Sequence, residues 1–207
     1  MQKIRKQIGI LGGSFNPPST GHIQLAQICS KYLDEVWIMP CYNHVQKNNL
    51  ISDEHRLNML DLIKFSSPNI FVSSFEIDNK LPGRTYDVLS SLKEYHKEDL
   101  YDFHYILGSD CANNIQSFYN YEKLIEENSF FIVGRKGCGL NYGGELIKKF
   151  EERGDEEGYF ILLNEDILEV SSTELRYFLE ERDLKALEGK IDSNVLSYIV
   201  ENNLYKI

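Results

Sequence analysis

Cysteine is sparse in this chain, four residues in 207, and Cys29, Cys41, Cys111 and Cys138 form no C-x-x-C pair or His/Cys array of metal-ligand spacing. That excludes a disulfide scaffold and a zinc module; reduced, buried thiols in a reducing compartment are the expectation. Long apolar runs are absent too. The opening Met1–Gln7 is polar and basic, and the apolar stretch behind it breaks at Gly12-Gly13, too short for a signal-peptide core. Nothing reaches membrane-spanning length, so the sequence reads as a soluble, cytoplasmic protein with no membrane contact. Positive charge is in deficit: 22 Lys and Arg against 32 Asp and Glu leave −10. Such a field repels polyanions and offers DNA or RNA no footprint, so any phosphate must be handled by local groups. With 42% hydrophobic and 26% charged residues, the chain falls outside the collagen-like, mucin-like and disordered classes.

What is present is an alternation. Short apolar runs at 8–11, 35–39, 69–73, 103–107, 130–133 and 159–163 predict strands, and segments of helical period at 22–33, 53–65, 86–95, 121–127 and 146–153 fall between them. Helices at 172–181 and 194–202 end the chain without a further strand. This is the pattern of βαβ units around a parallel sheet: α/β, a Rossmann-like doubly wound sheet with C-terminal helices. One domain over 1–207 is expected, its helical part starting at about 165. In the helix at 53–65, Leu57, Met59, Leu60 and Ile63 crowd one face, while Asp53, Glu54 and Lys64 stay wet. Residues 135–144 are glycine-rich and read as a surface loop; 151–158 is a charge run of the kind usually left in solvent.

Directly after the first strand comes Gly12-Gly13-Ser14-Phe15-Asn16-Pro17-Pro18-Ser19-Thr20-Gly21-His22, and then a helix. The glycines let backbone approach a ligand, the prolines carry the chain over the strand end, and free N–H groups at the helix start favour an anion. It is neither a Walker loop nor a G-x-G-x-x-G fingerprint, and glycines alone would make only a βα turn. A second cluster, Val170-Ser171-Ser172-Thr173-Glu174-Leu175-Arg176, reads plainly as a capping box of Ser171 with Glu174. Thr173 and Arg176 add a hydroxyl and a guanidinium that could share an anion at the same helix start.

Together these segments resemble the G-x-F-x-P-x-x-x-G-H and I-S-S-T-x-x-R signatures of the nucleotidyltransferases related to class I aminoacyl-tRNA synthetases. Further segments resemble the nicotinate/nicotinamide mononucleotide adenylyltransferases over nearly the whole chain. These are Pro40 followed by Lys47, His55-Arg56-Leu57 with Met59-Leu60, Gly83-Arg84-Thr85-Tyr86, Ile106-Leu107-Gly108-Ser109-Asp110, and Phe118 where the family usually carries tryptophan. The resemblance implies transfer of the adenylyl group from ATP to a pyridine mononucleotide, with His22, Lys47 and Arg176 as catalytic residues. It implies an ATP site from Gly12, Gly13, Ser14, Phe15, Ser19, Gly21, His22, Gly108, Asp110, Arg135, Ser171, Ser172, Thr173 and Arg176. It implies a mononucleotide site from Ser14, Phe15, Lys47, Thr85, Tyr86, Phe118 and Tyr119. Mg²⁺ is expected as a countercharge held by phosphate oxygens and water, not by protein ligands.

Plainer readings stand beside these: Lys47 as a solvated charge, Asp110 as a helix cap, Phe118 and Tyr119 as core aromatics, His55 and Arg56 in helix packing and surface charge. Ser19 stands where many bacterial members have histidine, which shifts phosphate contacts to His22, and Asp87-Val88-Leu89 replaces the usual T-x-D. Rival functions are a pantetheine-phosphate adenylyltransferase, an alcohol-phosphate cytidylyltransferase, a nucleotide-binding module without catalysis and a tRNA-binding synthetase fragment. Nicotinate and nicotinamide are both admitted as acceptors, and a homo-oligomer is left open.

Overall fold

The computed structural model describes residues 5–43, 50–97, 100–135, 141, 144, 146–148, 159–165, 167–168 and 170–206. Six strands, β1 (Lys6–Gly13), β2 (Glu35–Pro40), β3 (Ile70–Val72), β4 (Tyr101–Gly108), β5 (Ser129–Arg135) and β6 (Tyr159–Glu165), form one sheet. They are parallel in the order β3-β2-β1-β4-β5-β6. The chain therefore winds outward from β1 in one direction and from β4 in the other, and the crevice between their carboxyl ends is where such sheets bind ligands.

Alternation along the strands sends side chains to two apolar layers. Ile8, Ile10, Met39, Phe130 and Ile132 enter one layer; Leu11, Ile38, Phe131 and Val133 enter the other. The first layer is closed by α4 (Thr85–Tyr95) through Val88, Leu89 and Leu92, and by α6 (Tyr121–Glu127) through Leu124 and Ile125. The second is closed by α1 (Thr20–Cys29), α2 (Asp53–Asp61), α7 (Ser172–Glu180) and α8 (Ser193–Glu201).

Two short helices, α3 (Phe75–Asp78) and α5 (Ser109–Asn113), are additions to the predicted set. Both are too short for a helical period to register in the sequence. Helix α1 begins at Thr20, not at 22, because Ser19 caps it, and it ends at Cys29 before a series of turns. Helix α2 stops at Asp61, four residues before the expected end. The strand predicted at 69–73 pairs only over Ile70–Val72. Within 146–153, residues 146–148 are helical and the rest lies outside the described residues.

The face expected of α2 is corrected in two respects, the first being that Leu57 is only half-buried and stands outside the core. Met59, Leu60 and Ile63 are buried as predicted, but Arg56 is buried with them at 0% exposure instead of serving as surface charge. His55 has the packing role: its Nδ1 lies 2.8 Å from the Tyr198 hydroxyl, which Asn58 Nδ2 also reaches at 3.0 Å, tying α2 to α8. Cys29 and Cys41 are buried thiols, as expected; Cys111 is exposed, because α5 turns it toward the crevice, and Cys138 lies outside the described residues. No helix among the described residues is long and apolar enough to cross a membrane.

Candidate functional site

A cleft of about 1150 Å³ opens over the carboxyl ends of β1, β2 and β4. The two phosphate-type segments, 160 residues apart in sequence around Asn16 and Arg176, meet on its wall through hydrogen bonds. Arg176 Nη1 donates to the Asn16 carbonyl at 2.7 Å and Ser172 Oγ to the Pro17 carbonyl at 2.9 Å. The Tyr205 hydroxyl donates to Asn16 Oδ1 at 2.8 Å. These bonds consume the loop's own acceptors, so the turn is held by the C-terminal helices and not by its sequence alone. Gly21 belongs to the same seam: a Cβ there would stand 2.7 Å from the Leu168 carbonyl oxygen, so only glycine allows α1 to approach this close.

His22 is oriented by its own helix cap. The Ser19 N–H donates to His22 Nδ1 at 3.0 Å, and the Ser19 hydroxyl lies 2.8 Å from the same nitrogen. Because a backbone N–H can only donate, Nδ1 is the acceptor and the neutral ring carries its proton on Nε2. Phe15, wholly buried and at φ 45°, packs its ring edge-on against the imidazole with centroids 5.0 Å apart. A left-handed phenylalanine is strained, and here the strain places the ring under His22.

The cleft is lined by Gly12, Gly13, Ser14, His22, Thr85, Asp110, Phe118, Tyr119, Ser171, Ser172 and Thr173, all anticipated from sequence. Phe15 and Ser19, at 0% and 1% exposure, lie behind this wall and position His22. Gly21, Gly108, Tyr86 and Arg176 likewise support the lining. Gly108 caps α5, and the Tyr86 hydroxyl turns away to donate to Glu127 Oε2 at 2.9 Å. Asp110 sits inside the first turn of α5 and makes no side-chain cap, so the capping reading fails there. Ser171 Oγ does accept from the Glu174 N–H at 3.0 Å, but only half of the expected box forms, because Glu174 Oε1 pairs with Lys190 Nζ at 3.0 Å. Arg135 ends β5, and Lys47 lies outside the described residues.

Sequence reasoning missed two charged residues of the cleft, Arg84 and Glu76. Arg84 stood as the unassigned residue within Gly83-Arg84-Thr85-Tyr86. Glu76 lies on α3, which carries no period to flag it. It is 4% exposed, accepts from the Tyr42 N–H at 3.2 Å, and is pushed up to about 7 by burial, against the pull of that N–H and of Arg56. Burial also pushes the Tyr105 hydroxyl up; it is hydrogen-bonded with the Thr85 side chain and lies under Gly12, where a Cβ would meet it at 2.7 Å.

The proton on Glu76 carries a pH signature. A carboxyl bound more tightly to its proton in the folded state stabilises the fold fully below its unfolded pKa. That contribution is lost as pH rises from about 4.5 to about 7. Glu76→Gln is expected to remove this loss, worth roughly 3 kcal/mol at most. Urea unfolding at pH 5 and pH 8 measures it; an equal pH dependence in both proteins would show that Glu76 is already ionised at pH 5.

Glu76, Asp110 and Glu174 all line the cleft without converging, and among the described residues no group of three His, Cys, Asp or Glu side chains could hold a metal ion. Hydroxyls, backbone N–H groups and an imidazole are what the opposed segments offer, a donor set for phosphate oxygens.

The cytidylyltransferase-like family profile matches residues 10–178, from β1 into α7. Over 207 residues, 97% of this chain and 99% of that protein, the nicotinate-nucleotide adenylyltransferase of Bacillus subtilis (strain 168) is 30% identical. The chain belongs to the nicotinate-nucleotide adenylyltransferases of that family. Its backbone superposes on the Plasmodium falciparum nicotinic acid mononucleotide adenylyltransferase complexed with NaAD with a TM-score of 0.81, at 30% identity and covering 97% of this chain and 98% of that one. The same enzyme complexed with APC gives 0.81 at 31% identity, with the same coverage. As a nucleotidyltransferase the chain has the expected Rossmann-like parallel sheet, and both signature segments fall within the matched residues or close to their end.

Proposed function

We propose that this adenylyltransferase joins ATP to nicotinate mononucleotide, giving the dinucleotide and pyrophosphate, a step of NAD biosynthesis. A 5′-phosphate oxygen of the mononucleotide attacks the α-phosphorus of ATP, and the bond from that phosphorus to the β-bridging oxygen breaks. The attacking oxygen is already anionic, so no general base and no covalent enzyme intermediate are required; alignment and charge neutralisation remain as the protein's task.

The observation that carries this reading is the closure of the first loop by the C-terminal segment through Arg176 and Ser172, which sets two rows of donors around one cleft beside His22. In this assignment Gly12, Gly13 and Ser14 hold the α-phosphate, and the His22 Nε2–H donates where charge grows. Ser171, Ser172 and Thr173, with Arg176 behind them and Lys47 from its loop, hold the pyrophosphate end. Asp110 and Arg135 serve the nucleoside of ATP, while Thr85, the Tyr86 N–H, Phe118 and Tyr119 serve the pyridine. Mg²⁺ bound to ATP would supply countercharge to its phosphate oxygens, and the protein's part would be the donors of the two segments around those phosphates.

Residues 1–207 act here as one nucleotidyltransferase domain, whose helical part from about 165 completes the phosphate wall. Cysteines at 29, 41 and 111 that form no disulfide with one another suit a reducing, cytoplasmic setting. Pyrophosphate release, measured with ATP and a panel of nicotinate mononucleotide, nicotinamide mononucleotide, phosphopantetheine and phosphocholine, tests the reading. Release with a pyridine mononucleotide alone is expected; release only with another acceptor would replace the proposed substrate.

A further inference from the structure

We infer that Arg84 selects the acceptor by pairing with the nicotinate carboxylate, so that the enzyme prefers the acid over the amide. The inference rests on the pyridine mononucleotide reading of the cleft. Arg84 lies at the N-cap position of α4, an eleven-residue helix, and its side chain makes no cap hydrogen bond. Its guanidinium stands 4.1 Å from the centroid of the Tyr119 ring, and both residues line the cleft beside Thr85. A guanidinium held over an aromatic face loses rotational freedom, and its N–H groups form a planar fork of donors suited to a carboxylate.

The charge around this fork favours an anion. Asp87 Oδ2 lies 3.9 Å from Arg84 Nη1, an ion-pair distance beyond a hydrogen bond, with both side chains partly in solvent. The guanidinium thus keeps donors to give, and without it Asp87 would repel a carboxylate brought to the helix start. The first N–H groups of α4 have no intrahelical acceptor, the earliest helical bond running from the Val88 N–H to the Arg84 carbonyl at 3.0 Å. Backbone donors of this kind hold an amide oxygen and a carboxylate alike; the guanidinium adds a charge that only the carboxylate answers.

The two acceptors differ at that single group and share the ribose and the 5′-phosphate, so their comparison isolates it. With Arg84→Gln, the ratio of kcat/KM for nicotinate mononucleotide to that for nicotinamide mononucleotide is expected to fall about tenfold or more, the worth of one charge-assisted pair. The loss should appear in KM for the acid form, with kcat and both constants for the amide form nearly unchanged. Arg84→Lys should keep part of the preference through its charge. An equal fall for both acceptors would assign Arg84 to the shared phosphate, and an unchanged ratio would place it outside recognition; either overturns the inference while leaving the adenylyltransferase reading intact. A wild-type protein that adenylylates neither acceptor would instead remove that reading, and this inference with it.

Discussion

Replacing His22 with alanine is expected to lower kcat for adenylyl transfer at least a hundredfold, roughly 3 kcal/mol of transition-state stabilisation, with a smaller effect on KM. The argument starts at Ser19. Its N–H fixes Nδ1 as acceptor, and the ring is thereby committed to donate from Nε2. Phe15 below and the Ser19 hydroxyl beside it leave the imidazole few other orientations. A donor held in advance at the place where charge accumulates on the phosphates costs no reorganisation during the reaction, which is why its removal should appear in turnover and less in ground-state affinity. The fold should survive, because Ser19 keeps its hydrogen bond from the backbone N–H at position 22 and the substitution removes only the reciprocal half of the box. Initial rates of pyrophosphate release, with circular dichroism to confirm folding, measure the effect. A folded His22→Ala protein with undiminished turnover would show that the imidazole does not face the reacting phosphates.

The parts of this site legible in the sequence are those carried by a contiguous segment. Gly12 to His22 bears its glycines, prolines and helix start in one stretch, and the βα turn forms where that stretch predicts. Ser171 to Arg176 is similarly local, yet it reads equally well as a capping box; only the tertiary bonds to Asn16 and Pro17 give it a second role. The strand positions followed from apolar runs, but the order β3-β2-β1-β4-β5-β6 rests on which strands meet after folding, and the expectation of a doubly wound sheet came from alternation and resemblance. Glu76 and Arg84 were illegible for a different reason. Each is a charged residue in a polar context, the commonest surface pattern, and acquires meaning only when α3 and the start of α4 turn it into the cleft. Tyr205, near the end of the chain, gave no signal at all that it would bond Asn16.

Arg56 shows how far such a misreading can run, and its replacement has the largest expected effect on stability. A guanidinium at 0% exposure stands beneath the first loop: Nη1 donates to the Ser14 carbonyl at 3.1 Å, Nη2 pairs with Asp53 Oδ1, and Nε meets no hydrogen-bond partner among the described residues. Burying this charge is costly, and partial pairing compensates it only in place. Arg56→Ala strips the Ser14 carbonyl of its donor and leaves a void the size of a long side chain, while Asp53, a third exposed, can rehydrate. The expected cost is about 3 kcal/mol, or a fall in Tm of roughly 6–12 °C for a chain of this size. Activity should fall as well, since Ser14 belongs to the proposed phosphate cradle and its backbone is what Arg56 holds. Arg56→Met separates charge from volume. It fills most of the space, so it should recover part of the stability, but it cannot donate to Ser14, and kcat/KM should stay depressed. Removing the cation also withdraws the attraction that favours the Glu76 carboxylate, so the loss of stability that begins near pH 4.5 should extend to higher pH in both variants. Urea unfolding at several pH values beside initial rates measures all three effects. A methionine variant equal to wild type in stability and kinetics would mean that Arg56 fills space and positions nothing.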